Sequence, residues 1–173
     1  MNLFNKSHLK KQMMFAHNLI VASIPLLEMA IEKSTGELKE YYERHVFEEA
    51  GHAEILEEDL KSLGITDIAI NPDAVEIAGA QYYLIAHVHP AALLGYMAAL
   101  ERHNVPEALI TELEKHHEVT LKCMRLHTLL DVEHIKDLDE QIERLRFDLK
   151  KLAKDNEDYV VEKINRACNW GQI

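Results

Sequence analysis

Cysteine, proline and glycine are all scarce in this sequence of 173 residues, with 2, 4 and 6 copies. Cys123 and Cys168 form no CxxC pair, which argues against a disulfide-framed secreted scaffold and against a cysteine-ligated zinc. The glycines at 36, 51, 64, 79, 95 and 171 never cluster, so a phosphate-cradling glycine loop is excluded. No run of roughly 18 or more apolar residues occurs. The start Met1-Asn2-Leu3-Phe4-Asn5-Lys6 lacks the apolar core and cleavage site of a signal peptide, and a cytoplasmic protein is expected. Positive charge is also short, 19 Lys+Arg against 30 Asp+Glu for a net charge of −11. A surface of that sign repels phosphate backbones and anionic headgroups, so the expected partner is a small molecule and neither nucleic acid nor a membrane.

What the chain does have is apolar content, 47%, with 28% charged residues, the balance of a folded protein. The length suits a single domain over 1–173. Two-residue alternation is nearly absent while apolar residues recur at three and four, so the fold class is all-α. The spacing predicts a first helix over about 6–33 with a kink at Pro25, and a second from a Ser34/Glu37 capping box to Gly64. A third runs from Asn71-Pro72 to about His103 with a break at Pro90, and a fourth opens at Val105-Pro106 and continues, with a bend, towards Ala167. Leu138, Ile142, Leu145, Leu149 and Leu152 form a narrow seam suited to a partner helix within the chain or across a homodimer.

Eleven histidines are many for this length, and several fall on buried faces. The inward stripe of the second helix passes through Leu38, Tyr41, His45, Glu48 or Glu49, His52 and Leu56, so its middle is ionisable. Such groups are costly to bury unless paired or bound to a cation. Glu49 and His52 are one helical turn apart and can reach one ion. Extending the leucine seam backwards at helical spacing lands on His134, Asp131 and His127, a second cluster on one face. Imidazole with carboxylate is a donor set for iron or manganese with open positions.

Glu101 closes an otherwise apolar run in which Ala91, Ala92, Gly95, Ala98 and Ala99 either allow close helix packing or leave space above a metal. His17 shares a face with Met13 and Ile20 and lies level with His52 in a helical hairpin, as a pocket residue. His87 and His89 flank the break at Pro90, where lining a channel and capping a helix end are both open to them. A lone ExxH is commonly a solvated pair. A second cluster in the same chain shifts the balance towards a metal site, against a buried network that only fixes helix register.

Three blocks resemble the iron-containing redox enzyme family within the haem-oxygenase-like diiron oxidases and oxygenases. They are Tyr41-Tyr42-Glu43-Arg44-His45-Val46-Phe47-Glu48-Glu49-Ala50-Gly51-His52, then Gln81-Tyr82-Tyr83-Leu84-Ile85 through His89-Pro90 and Gly95-Tyr96 to Glu101, then His127-x3-Asp131-x2-His134. They occur in family order over roughly residues 13–140.

The resemblance implies a haem-oxygenase-like helical bundle without haem, Fe(II) at two ions per chain, and dioxygen as co-substrate. It matches His52, His127 and His134 to the histidine ligands and Glu49, Glu101 and Asp131 to the carboxylates. Where related enzymes differ, seven residues before the first histidine, this chain has His45, so the upstream ligand lies among Glu49, Glu48 and His45. Candidate substrate-pocket residues are His17, Tyr83, His89 and Gly95. The implied activity is oxidation or oxygenation of a small amine, amino acid or fatty acid. The alternatives are a non-catalytic iron-binding protein on a ferritin-like four-helix bundle, and a metal-free scaffold that dimerises through the leucine seam.

Overall fold

The structure, a computed structural model, describes residues 3–103 and 105–168, and for residues 131 and 132 the backbone alone. The described residues form eight helices and no strand. Helix α1 (Lys6–Lys33) starts where the Asn5 side chain accepts the Ser7 and His8 N–H groups at 3.0 and 3.3 Å, and it continues as one helix through Pro25. By length and composition α1 could cross a membrane; here it is the helix against which α2, α3, α4 and α5 pack.

Ser34 does not cap the second helix. It ends α1 in an extended conformation, its N–H bonded to Ile31, and α2 (Gly36–Glu49) follows from Thr35 without a side-chain cap. The expected run to Gly64 is also broken. Gly51 adopts φ +90°, a left-handed conformation open to glycine, and the chain restarts as α3 (His52–Ser62).

Helix α4 (Pro72–His87) has Asn71 as its N-cap and proline at its start, and α5 (Ala92–Glu101) follows the expected break at Pro90. Residues 92–99 are all buried, because α5 runs between α4, α7 and α8. Gly95 sits where α5 meets α8: a Cβ there would lie 1.9 Å from the Ala153 carbonyl oxygen. Asn156 of α8 donates to Gln81 and to the Ala92 carbonyl, both at 2.7 Å, joining α4, α5 and α8 through a satisfied buried network.

The expected fourth helix is three: α6 (Glu107–His117), α7 (Lys122–Glu143) and α8 (Phe147–Cys168). Glu118, at φ 55°, turns the chain out of α6. The turn at 144–146 cuts the leucine seam, leaving Leu138 fully buried at its head and Leu149 and Leu152 half-buried on a different helix. Two carboxylates pin the start of α7. Asp59 accepts the Cys123 N–H at 2.8 Å, and Glu114, held by Arg125, accepts the Leu121 N–H at 2.9 Å.

The buried apolar side chains form two clusters. One gathers Leu26, Tyr42, Leu93, Leu94, Leu138 and Val160; the other gathers Leu9, Leu56, Leu60, Ile110, Leu113 and Leu121. The α2–α3 segment and α7 each pass from one cluster to the other: from Tyr42 to Leu56, and from Leu121 to Leu138. His45, Glu49, His52, His127 and His134 lie on those crossings.

Candidate metal centre

Six of the eight ligand candidates gather into two trios, each of two histidines and one carboxylate, with donor atoms within 4.8 Å of one another. The first is His45, Glu101 and His134, all buried; the second is Glu49, His52 and His127. The Asp131 side chain lies outside the described residues.

Local structure explains each placement. His45 lies on the buried stripe of α2 behind Tyr41, whose ring stacks on its own at 5.9 Å between centroids. Glu49 is the last residue of α2 and His52 the first of α3, so the pair straddles the Gly51 break instead of sharing one continuous turn. Glu101 ends α5, where the next residue, Arg102, is tied to Asp139 of α7 and Glu157 of α8. His127 and His134 project from α7, and each forms an edge-to-face pair across the centre, His127 with His52 at 4.8 Å and His134 with His45 at 5.1 Å.

Glu49 connects the trios. Its Oε2 is 3.2 Å from His52 Nδ1, and its Oε1 is 3.7 Å from His45 Nε2, which is also 3.5 Å from Glu101 Oε1. Glu48, half-exposed, approaches from the other side, with Oε2 3.2 Å from His45 Nδ1 and 3.6 Å from His134 Nε2. The three upstream candidates thus take different places: His45 and Glu49 fall in separate trios, and Glu48 lies beside His45 and His134 of the first.

Burial pushes the His45 imidazole below its ordinary value against the pull of Glu49 and Glu48, which leaves it neutral. Burial alone would raise Glu49, but the adjacent His52 and the other imidazoles around it, His45 and His127, bring the carboxyl below the ordinary range. A neutral imidazole beside an ionised carboxylate is the protonation state a metal ion requires. Two further observations fit a cation. The ion-pair partners of Glu49 among the described residues are both histidines, and the buried His134 Nδ1 makes no hydrogen bond to the described residues.

A cavity of about 240 Å³ opens beside both trios, lined by His45, Glu49, Glu101 and His127 together with residues of α1, α5 and the start of α7.

No family model and no curated protein matches this sequence. Among solved structures, a domain of unknown function with a heme oxygenase-like fold from Shewanella denitrificans matches with a TM-score of 0.78, over 96% of this chain and 80% of that one, at 16% identity. The chain has a haem-oxygenase-like fold.

This haem-oxygenase-like arrangement replaces the ferritin-like four-helix alternative. It also relocates the four expected pocket residues, none of which lines the cavity. His17 turns to α3, its Nε2 3.4 Å from Glu57 Oε1. Tyr83 is 62% exposed on the outer face of α4, against His87. His89 caps the start of α5, its Nδ1 accepting the Ala91 N–H at 3.1 Å. Gly95 serves the contact with α8.

The small residues of α5 divide between the two roles considered for them: Ala99 lines the cavity, whereas Ala92 and Ala98 are packed away from it. Sequence reasoning missed Tyr41 as the platform for His45, and Asp59 and Glu114 as the groups that fix α7. Asp59 carried a signal, a carboxylate one turn beyond Leu56 on an otherwise apolar stripe.

Proposed function

We propose that this chain is a non-haem iron oxidase or oxygenase that binds two Fe(II) and uses dioxygen on a small organic substrate. The observation that carries the reading is the pair of two-histidine, one-carboxylate trios joined through Glu49 and open to an apolar cavity. Nitrogen and oxygen donors without thiolate suit iron or manganese better than structural zinc, and four imidazoles do not suit magnesium. When bound, ferrous iron with open coordination positions supplies the electrons that reduce dioxygen.

The chain's own residues do the rest. His45 and His134 would hold one ion with Glu101, and His52 and His127 the other with Glu49. Glu48 faces the outer nitrogen of His45 and fixes the orientation of that ring. The apolar walls exclude water and keep the carboxylates in a medium where their charge acts strongly.

The test is anaerobic loading with ferrous iron, the iron bound per chain, and dioxygen uptake on exposure to air. One ion per trio and rapid uptake are expected, with His134→Ala abolishing uptake while helicity is retained. A chain that binds no iron under these conditions overturns the proposal. One that takes up many irons and assembles into a shell would indicate storage instead.

A further inference from the structure

Glu101 reaches the first trio from the end of a helix that has little of its own to hold it in place. Of the ten side chains of α5, only Tyr96 and Glu101 are polar. The others are alanine, leucine, glycine and methionine, whose packing is non-directional. The bonds that close the helix end stay within the same segment: the Arg102 N–H meets the Ala98 carbonyl, and His103 Nδ1 lies 2.7 Å from the Ala99 carbonyl. They do not set where that end lies against its neighbours.

The Arg102 side chain does. One arm of its guanidinium donates to Glu157 of α8 at 2.5 Å and the other to Asp139 of α7. Asp139 is five residues beyond His134, roughly 7.5 Å along the helix. The two helices that bring Glu101 and His134 together are therefore joined again by the next ion pair along. Glu157 is buried, its other oxygen lies 3.3 Å from Lys154, and its backbone nitrogen lies against Gly95. Thus α8 holds α5 at its middle by backbone contact and at its end through the Glu157 side chain. A guanidinium presents its N–H groups as a rigid fork, so carboxylates on two helices fix direction as well as distance.

We propose that Arg102 is a positioning residue, acting through Glu101: its two ion pairs set where that carboxylate stands relative to His45 and His134. The consequence for ion affinity rests on the two-ion reading above; the placement itself does not. The second trio draws no ligand from α5 and is indifferent to Arg102.

Two measurements on the full chain test it. Without metal, Arg102→Met should speed amide hydrogen exchange at residues 99–102 about tenfold or more and leave residues 93–96 within about twofold. In anaerobic titration with Fe(II), the same variant should weaken one ion about tenfold to a hundredfold and leave the other within about twofold. Paired variants identify which. With His52→Ala, adding Arg102→Met should remove the remaining ion; with His134→Ala, it should have no further effect. Arg102→Lys, a single ammonium in place of the fork, should recover part of the loss. Glu157→Gln and Asp139→Asn each cut one arm and serve if Arg102→Met does not fold; each should weaken the same ion. Unchanged exchange at 99–102, unchanged affinity for both ions, or equal weakening of both would overturn the proposal, whatever the change in thermal stability. Two ions held normally by Arg102→Met remove this inference alone. A parent chain that binds no Fe(II) removes the enzyme reading, and the exchange measurement then decides whether Arg102 places Glu101.

Discussion

The two trios contain the same side-chain types but are built differently. In the second, Glu49 and His52 are three residues apart, so only His127 must arrive from elsewhere in the chain. In the first, His45, Glu101 and His134 come from α2, α5 and α7, and all three are buried. His45 and His52 are spaced as His127 and His134 are, yet α7 is continuous and the α2–α3 segment is broken at Gly51. The second trio is thus set by local backbone, the first by how tightly the helices pack. Substitutions that act on one of those causes should separate them.

The largest effect is expected from Glu49→Ala, which removes the carboxylate facing both trios. Iron affinity should fall on the order of a hundredfold or more at both positions, measured as iron retained per chain after equilibrium dialysis. Retention of one full equivalent would show that the trios do not depend on a shared group. Next comes Gly95→Ala, whose Cβ would meet the Ala153 carbonyl and force α5 from α8. A loss of about 3 kcal/mol is expected in denaturant unfolding. Because Glu101 ends α5, weakening should be confined to the first trio. An unchanged midpoint would mean that α8 yields easily.

Gly51→Ala acts on the other cause. A side chain at φ +90° costs about 1–2 kcal/mol, and the shift of His52 relative to Glu49 should weaken the second trio while sparing the first. Equal weakening of both would remove the distinction between local and packed construction.

The smallest effect concerns the foundation of α7. Burial raises the Asp59 carboxyl above the ordinary aspartate value, and the Cys123 and Lys122 amide groups offset this only in part. The folded chain therefore holds that proton more tightly than the unfolded chain does. Stability falls as pH rises through the window from the ordinary value to the raised one. Asp59→Asn keeps an acceptor for the Cys123 N–H without the charge, so across that window it should gain on the parent by about 1 kcal/mol or less. A stability difference that does not vary with pH would refute this account.

Helix content and the side chains that cluster were legible because a buried face that turns ionisable is visible as spacing: His45, Glu49 and His52 on one stripe, His127 and His134 behind Leu138. The division into two trios was not. It depends on Gly51 taking a positive φ, and a lone glycine after alanine reads equally well as part of a helix. The cavity was not legible for a related reason. Tyr83, His89 and Gly95 stood out by residue type or by the resemblance, whereas the cavity is walled by residues such as Leu19, Met97 and Met124 that are indistinguishable in sequence from ordinary core.

The division of the apolar interior into two clusters, with ionisable groups where α2–α3 and α7 cross between them, also bears on how the molecule breathes. Each cluster is a candidate cooperative unit in amide hydrogen exchange, and a seam of polar side chains transmits little packing energy between such units. Without a cation the two halves should open with distinct free energies. An ion seated at the crossings would act as a rivet, raising protection in both halves together and merging two openings into one.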